Sequence, residues 1–176
     1  EGAPGYSLHV FDQVRQRGDF RRVISNLLVE GNVLKGSPER SGMILAMEDG
    51  GDWGTYGNYA ENIVIRNNLF LQNNHHGLVI GANIRGANVY NNTFHENGRQ
   101  GIYVGDARTT SAVDIRNNLI YQTDANGFCR NFCSWYATAH IQDSLGDPAR
   151  VRIENNGYFP GAPVLYKGVG SNLTPI

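Results

Sequence analysis

The chain has 176 residues, enough for one ordinary domain, and sets 15 Lys+Arg against 16 Asp+Glu for a formal charge of −1. No basic excess favours nucleic acid, and no apolar run approaches the roughly 20 residues that span a bilayer. Twenty-two glycines, abundant asparagine and only two methionines suit many short strands joined by tight turns. The chain opens Glu1-Gly2 without Met and without a signal-peptide pattern, so its start reads as a processed terminus or an internal boundary. Cys129 and Cys133 fit a local disulfide in a secreted protein, and no partner ligands nearby make them a zinc site.

In chain order, Gly5-Tyr6-Ser7-Leu8 reads as the last strand of a coil and Phe11 to Arg21 as an insertion after it. Leu28-Val29-Glu30-Gly31-Asn32-Val33-Leu34 then opens a pattern of apolar, any, Asn or Gly, Asn, any, apolar. Gly42-Met43-Ile44-Leu45 follows as a further strand, and residues 48–61 form a second insertion. The pattern returns at Val64–Phe70 with Gly77-Leu78-Val79-Ile80, and at Asn88–Phe94 with Gly101-Ile102-Tyr103-Val104. It returns again at Asp114–Ile120, followed more weakly by Gly127-Phe128, and last at Arg152–Tyr158. A third insertion runs from about Cys129 to Asp147. The anchoring asparagines Asn32, Asn68, Asn92, Asn118 and Asn156 are separated by 36, 24, 26 and 38 residues. Repeats of that length that cannot bury their own apolar face predict a solenoid.

Period-2 alternation points Val29, Ile65, Val89, Ile115 and Ile153 inward. Leu34, Phe70, Phe94, Ile120 and Tyr158 fill the interior from the next strand, and Met43, Leu78, Ile102 and Phe128 from the third. The asparagines at the bend are expected to bond to one another from coil to coil. The glycine opening each third strand is expected to supply a backbone conformation closed to other residues. The outward column Glu30, Arg66, Tyr90, Arg116 and Glu154 reads as a solvated face with cross-strand charge pairs.

The Ile-x-Asn-Asn-x-Phe and Gly-Ile-x-Val units, over residues 22–166, resemble the repeat of the pectate-lyase-like superfamily. The resemblance implies an all-β, right-handed parallel β-helix of roughly five coils, as one domain or a piece of a longer chain. It implies fold more than function, since lyases, glycoside hydrolases, epimerases, esterases and tailspikes share that architecture.

All three insertions are expected to rise along one edge, with the shorter coils forming the floor of a groove. That groove is the expected site. Asp106, Arg108, His140 and Asp49 are the candidate catalytic residues. Paired carboxylates suit inverting hydrolysis, whereas an arginine on a uronate carboxylate with His140 as base suits proton abstraction. Trp53, Tyr56, Asn83, Arg85, Tyr103 and Trp135 are the candidate substrate-binding residues, the aromatics through stacking on sugar C–H faces. No cofactor is required. The glycine-rich loop with Glu48, Asp49 and Asp52 offers oxygens to Ca²⁺ but no recognised calcium spacing. The leading expectation is a secreted, extracellular or periplasmic domain that acts on or binds an extended polysaccharide, uronans included. Lyase, epimerase and hydrolase chemistry stay open. The alternative is a non-catalytic module for carbohydrate binding, adhesion or end-to-end assembly.

Overall fold

The computed structural model describes residues 5–13, 23–48, 57–105, 110–121, 140–144, 147, 149–159 and 164–166. β1 (Leu8–Gln13) precedes the first full coil, which runs β2 (Val23–Ser25), β3 (Leu28–Glu30), β4 (Val33–Lys35) and β5 (Met43–Glu48). The second coil is β6 (Tyr59–Arg66), β7 (Leu69–Leu71) and β8 (Leu78–Ile80), and the third β9 (Ile84–Tyr90), β10 (Thr93–His95) and β11 (Ile102–Val104). The fourth is β12 (Ser111–Arg116), β13 (Leu119–Tyr121) and β14 (Ile141–Asp143), and the fifth β15 (Val151–Glu154), β16 (Gly157–Phe159) and β17 (Val164–Tyr166). Equivalent strands stack into three sheets: A (β1-β5-β8-β11-β14-β17), B (β2 and β3, β6, β9, β12, β15) and C (β4-β7-β10-β13-β16). Every pairing is parallel, and the described residues contain no helix. The fold is therefore a parallel β-helix of five coils.

The interior holds the expected columns. Ile65, Val89 and Ile115 are fully buried from sheet B, Phe70, Phe94 and Ile120 from sheet C, and Met43, Leu78 and Ile102 from sheet A. Register brings like onto like, so Phe70 and Phe94 stack at 4.6 Å with planes 7° apart. Phe128 lies outside the described residues. The third strand of the fourth coil is Ile141–Asp143, in register with Ile102–Val104, and not the Gly127-Phe128 pair. Residues 122–139 therefore enter between sheets C and A rather than after sheet A. The ends of two expected insertions are also strand: Phe11–Gln13 belongs to β1 and Tyr59–Glu61 to β6.

The asparagine ladder occupies the corner between sheets B and C. Asn68 donates from its backbone N and its Nδ2 to Asn92 Oδ1, both at 3.0 Å, and Asn92 does the same to Asn118 Oδ1 at 3.0 and 3.0 Å. Each Nδ2 also reaches the preceding coil, Asn92 to Ile65 O at 2.9 Å and Asn118 to Val89 O at 2.9 Å. The ladder begins at Asn32 and runs to Asn156. The residue just before each rung turns the chain: Gly31, Asn67, Asn91, Asn117 and Asn155 have φ of 68, 56, 55, 53 and 52°. That region is open to glycine and cheapest for asparagine among the rest, which explains Gly-Asn once and Asn-Asn four times. A second ladder joins sheets C and A. Ser37 N donates to Asn73 Oδ1 (3.1 Å), and Asn73 donates to Asn97 Oδ1 from N (3.2 Å) and Nδ2 (2.9 Å).

The glycines at the head of sheet A serve a different purpose from the one expected. Gly42, Gly77 and Gly101 are not among the positive-φ residues. They are needed for space: a Cβ at Gly77 would come within 2.6 Å of the Phe94 ring and 2.7 Å of Gly101 O. Asn92→Ala should lower stability by about 1–3 kcal/mol through the buried groups it strands. Gly31→Asn should be near neutral, because open space surrounds Gly31 and asparagine stands at every equivalent position. Urea unfolding of the two variants checks both, and equal midpoints would count against the ladder as the stabilising element.

Candidate functional site

The three outer faces differ in chemistry. On sheet B the Glu30–Arg66–Tyr90–Arg116–Glu154 column is the charge-laced face expected. Arg66 meets Glu30 through Nε–Oε1 and Nη2–Oε2, both at 3.0 Å, and donates to Tyr90 Oη at 3.2 Å. Asp114 takes Arg152 at 2.9 Å and Arg116 at 3.5 Å. A shallow depression there, about 290 Å³, is lined by Leu28, Val64, Asn62, Arg66 and Tyr90, and its cation is already engaged by Glu30. Sheet C presents exposed Val33, Leu119 and Phe159, with His95, Tyr121 and Phe159 stacked at 4.8 and 5.2 Å. Those rings face one another, so they offer edges rather than faces to a ligand.

Sheet A is the face whose strands are joined to the next sheet by the longest connections: β1 to β2, β5 to β6 and β11 to β12 at one corner, and β13 to β14 at the other. The expectation of a single inserted edge is corrected accordingly. Between these corners run two outward columns. One is His9, Ile44, Val79, Tyr103 and Gln142. Beside it lie Ala46, Gly81, Gly105 and Ser144, tied by Gly81 N to Leu45 O, Gly105 N to Ile80 O and Ser144 N to Val104 O at 2.8, 2.8 and 2.9 Å. These four side chains are small, and Phe11, paired with Ala46, takes the same place in β1. A Cβ at Gly105 would come within 2.7 Å of Tyr103 Cε1 and 3.5 Å of the two ring atoms beside it, so glycine leaves room for the edge of that ring.

Tyr103 is held on three sides. His76 stacks on it at 4.8 Å with planes 17° apart, Ser144 Oγ donates to its hydroxyl at 3.3 Å, and Gly105 abuts its edge. His76 is only 8% exposed. Its backbone N donates to Ser41 Oγ at 3.3 Å, and Gln100 bonds its ring. The signal was present in the alternation, which points Tyr103 outward, but the stacking partner comes from the coil before.

The remaining expected site residues scatter. His140 stands where Gly101 stands one coil earlier, with its carbonyl accepting from Ile102 N at 3.2 Å. Its ring is 2% exposed, tilts against the interior Tyr158 at 5.5 Å, and leaves both nitrogens without a hydrogen-bond partner. An imidazole so enclosed does not reach a surface ligand. Asn83 is a buried corner post with φ 58°, donating from Nδ2 to Met47 O at 2.7 Å. Arg85 lies in β9 on the outer side of sheet B, 4.0 Å over the Tyr59 ring. Asp49, Trp53, Tyr56, Asp106, Arg108 and Trp135 lie outside the described residues, as do Asp52, Cys129 and Cys133. Among the described residues no group of three His, Cys, Asp or Glu could hold a metal ion.

A family model described as "Right handed beta helix region" matches residues 15–157. The chain belongs to the right-handed β-helix family. No curated protein and no solved structure matches it.

Two buried imidazoles give the fold a pH dependence. Burial pushes His140 down from 6.5 to about 4, and burial with Arg99 and His75 nearby pushes His76 down to about 3. The unfolded chain takes up these protons as pH falls below 6.5, whereas the folded chain does not until about 4 and 3. Their contribution to stability is complete above the ordinary histidine value and drains away through that window, by about 1.4 kcal/mol per pH unit for each ring. The thermal midpoint should fall steadily from pH 6.5 to 4, and His140→Phe should remove about half of the slope. A midpoint independent of pH across that range would show that neither ring is held neutral.

Proposed function

We propose that this β-helix domain engages an extended polysaccharide along the outer face of sheet A, in a secreted or periplasmic setting. The observation that carries the reading is the Tyr103 ring, held by His76 and Ser144 on the outer face of sheet A with Gly105 at its edge. His76 covers one face of the ring, and a ring already fixed in this way offers its other face to a pyranose at little entropic cost. Trp53, Tyr56 and Trp135 belong by chain position to the long connections at the corners of sheet A, and we assign them to the same stacking role. Uronans are among the polymers proposed.

Chemistry, if the domain performs it, falls to Asp106 and Arg108. Asp106 follows directly on Gly105, which abuts the Tyr103 ring, and Arg108 comes two residues later. Asp106 would exchange the proton at the scissile unit and Arg108 would hold a uronate carboxylate. A second reading, a binding module without turnover, is favoured by one observation: His140 lies in the interior beside Tyr158 and is not available as a surface base.

Tyr103→Ala should weaken binding of the preferred glycan about 3- to 10-fold, the size of one lost aromatic contact. Arg116→Ala on sheet B should leave it unchanged. Affinity electrophoresis over a panel of uronans and neutral glycans reads both, and equal losses would sink the assignment to sheet A. Absorbance near roughly 232 nm reports elimination, and new reducing ends without it report hydrolysis. Loss of product in Asp106→Ala with retained binding marks an enzyme, whereas binding without product marks the module.

A further inference from the structure

Sheet C turns an apolar face outward. Its strands read outward, inward, outward in every coil, so ten outward positions stand in two columns. One column is Val33, Leu69, Thr93, Leu119 and Gly157, and the other is Lys35, Leu71, His95, Tyr121 and Phe159. Val33 is 64% exposed, Leu119 53% and Phe159 56%. Lys35 is the one lysine, arginine or acidic residue among the ten, and it stands at the end of its column. Sheet B, by contrast, covers its outer face with ion pairs. A contiguous apolar patch with its charge at the rim is the pattern of an association surface.

The order of side-chain sizes says what fits this face. Along the helix axis the first column runs valine, leucine, threonine, leucine, glycine. Laid against its own reverse, the protruding Val33 meets Gly157, Leu69 meets Leu119, and Thr93 meets Thr93. The low place at Gly157 is bounded by Leu119, whose Cδ1 would lie 3.3 Å from a Cβ there. The second column behaves alike: Lys35 meets Phe159, Leu71 meets Tyr121, and His95 meets His95. The aromatic half, stacked with planes 9° and 14° apart, thus falls on the aliphatic half of the facing copy. Reversing the coils while keeping the columns in line is the operation of a two-fold axis along β10, between faces ~10 Å apart. It carries Lys35 to the rim at both ends, where the stem lies along Phe159 and the ammonium stays in water.

We propose that sheet C is a self-association face, on which a second copy of this chain docks about a two-fold axis along β10. The proposal does not depend on the reading of sheet A. Five strands at ~4.8 Å and three residues at ~3.3 Å make a face of about 24 by about 10 Å. That is well below the roughly 800 Å² per partner of a standard stable interface, so the pairing is reversible and fills only at high concentration.

Sedimentation equilibrium near neutral pH, from about 10 µM to about 1 mM chain, tests this. The average mass should rise from 19.4 kDa toward twice that value and stop there. Leu119→Asp and Leu69→Lys, with melting temperatures retained, should each weaken the pairing at least about tenfold, because each sets a charge against a leucine of the second copy. Mixed in equal amounts, the two variants should pair again, since the introduced carboxylate then faces the introduced ammonium. Should Leu69→Lys fail to fold, Thr93→Asp and Thr93→Lys replace the pair: on the axis each meets its own kind and repels it, and only the mixture should associate. Leu28→Asp on sheet B, at a leucine 52% exposed, should leave the pairing unchanged. A chain still monomeric at about 1 mM overturns the proposal, and so does growth past the dimer. Equal loss in Leu28→Asp overturns the assignment to sheet C. Loss in the single variants without recovery in the mixture overturns the two-fold axis.

Discussion

The structure depends on a chain of amide hydrogen bonds at the corner between sheets B and C. Each asparagine gives three N–H groups and takes two, and nearly all its partners are buried. A buried amide left unmet would cost about 1–3 kcal/mol, so every rung obliges its neighbours to be asparagine and to lie in register. Register then does the rest. It places Phe70 on Phe94 and a valine or isoleucine at each level of the sheet B interior. A coil could not bury these residues alone, and stacking removes them from water in a continuous column.

Much of this was legible in the sequence because it repeats. The inward columns, the first ladder and the charge-laced face of sheet B all follow from period-2 alternation around a recurring Asn. The second ladder was equally written there, since Asn73 and Asn97 stand five residues beyond Asn68 and Asn92. It was hidden because the first coil carries Ser37 at that place, where only the backbone N is needed as donor. The third strand of the fourth coil was hidden for a similar reason. The fourth coil has no glycine at the head of sheet A, and His140 takes that position without any pattern to announce it. Repeats reveal what is common to the coils, and the site is built from what is not.

The site also resists sequence reading because its parts come from different coils. Tyr103 belongs to the third coil, His76 to the second and Ser144 to the fourth, and no local motif joins them. Conversely, Asn83, Arg85 and His140, all expected in the groove, turn to three separate environments. A polar side chain near a corner has backbone carbonyls to satisfy, as Asn83 does for Met47, before it can serve a ligand.

The corner between sheets B and C holds two residues in every coil, from Gly31-Asn32 to Asn155-Asn156. One residue more or fewer there would break the ladder on both sides at once. Growth of the chain is therefore confined to the other two corners, and both of those flank sheet A. Lineages that lengthen or replace loops on this scaffold change the surroundings of sheet A from both sides, and of sheets B and C from one side each. The hydrogen bonds that make the coil rigid thus also decide where new recognition can evolve.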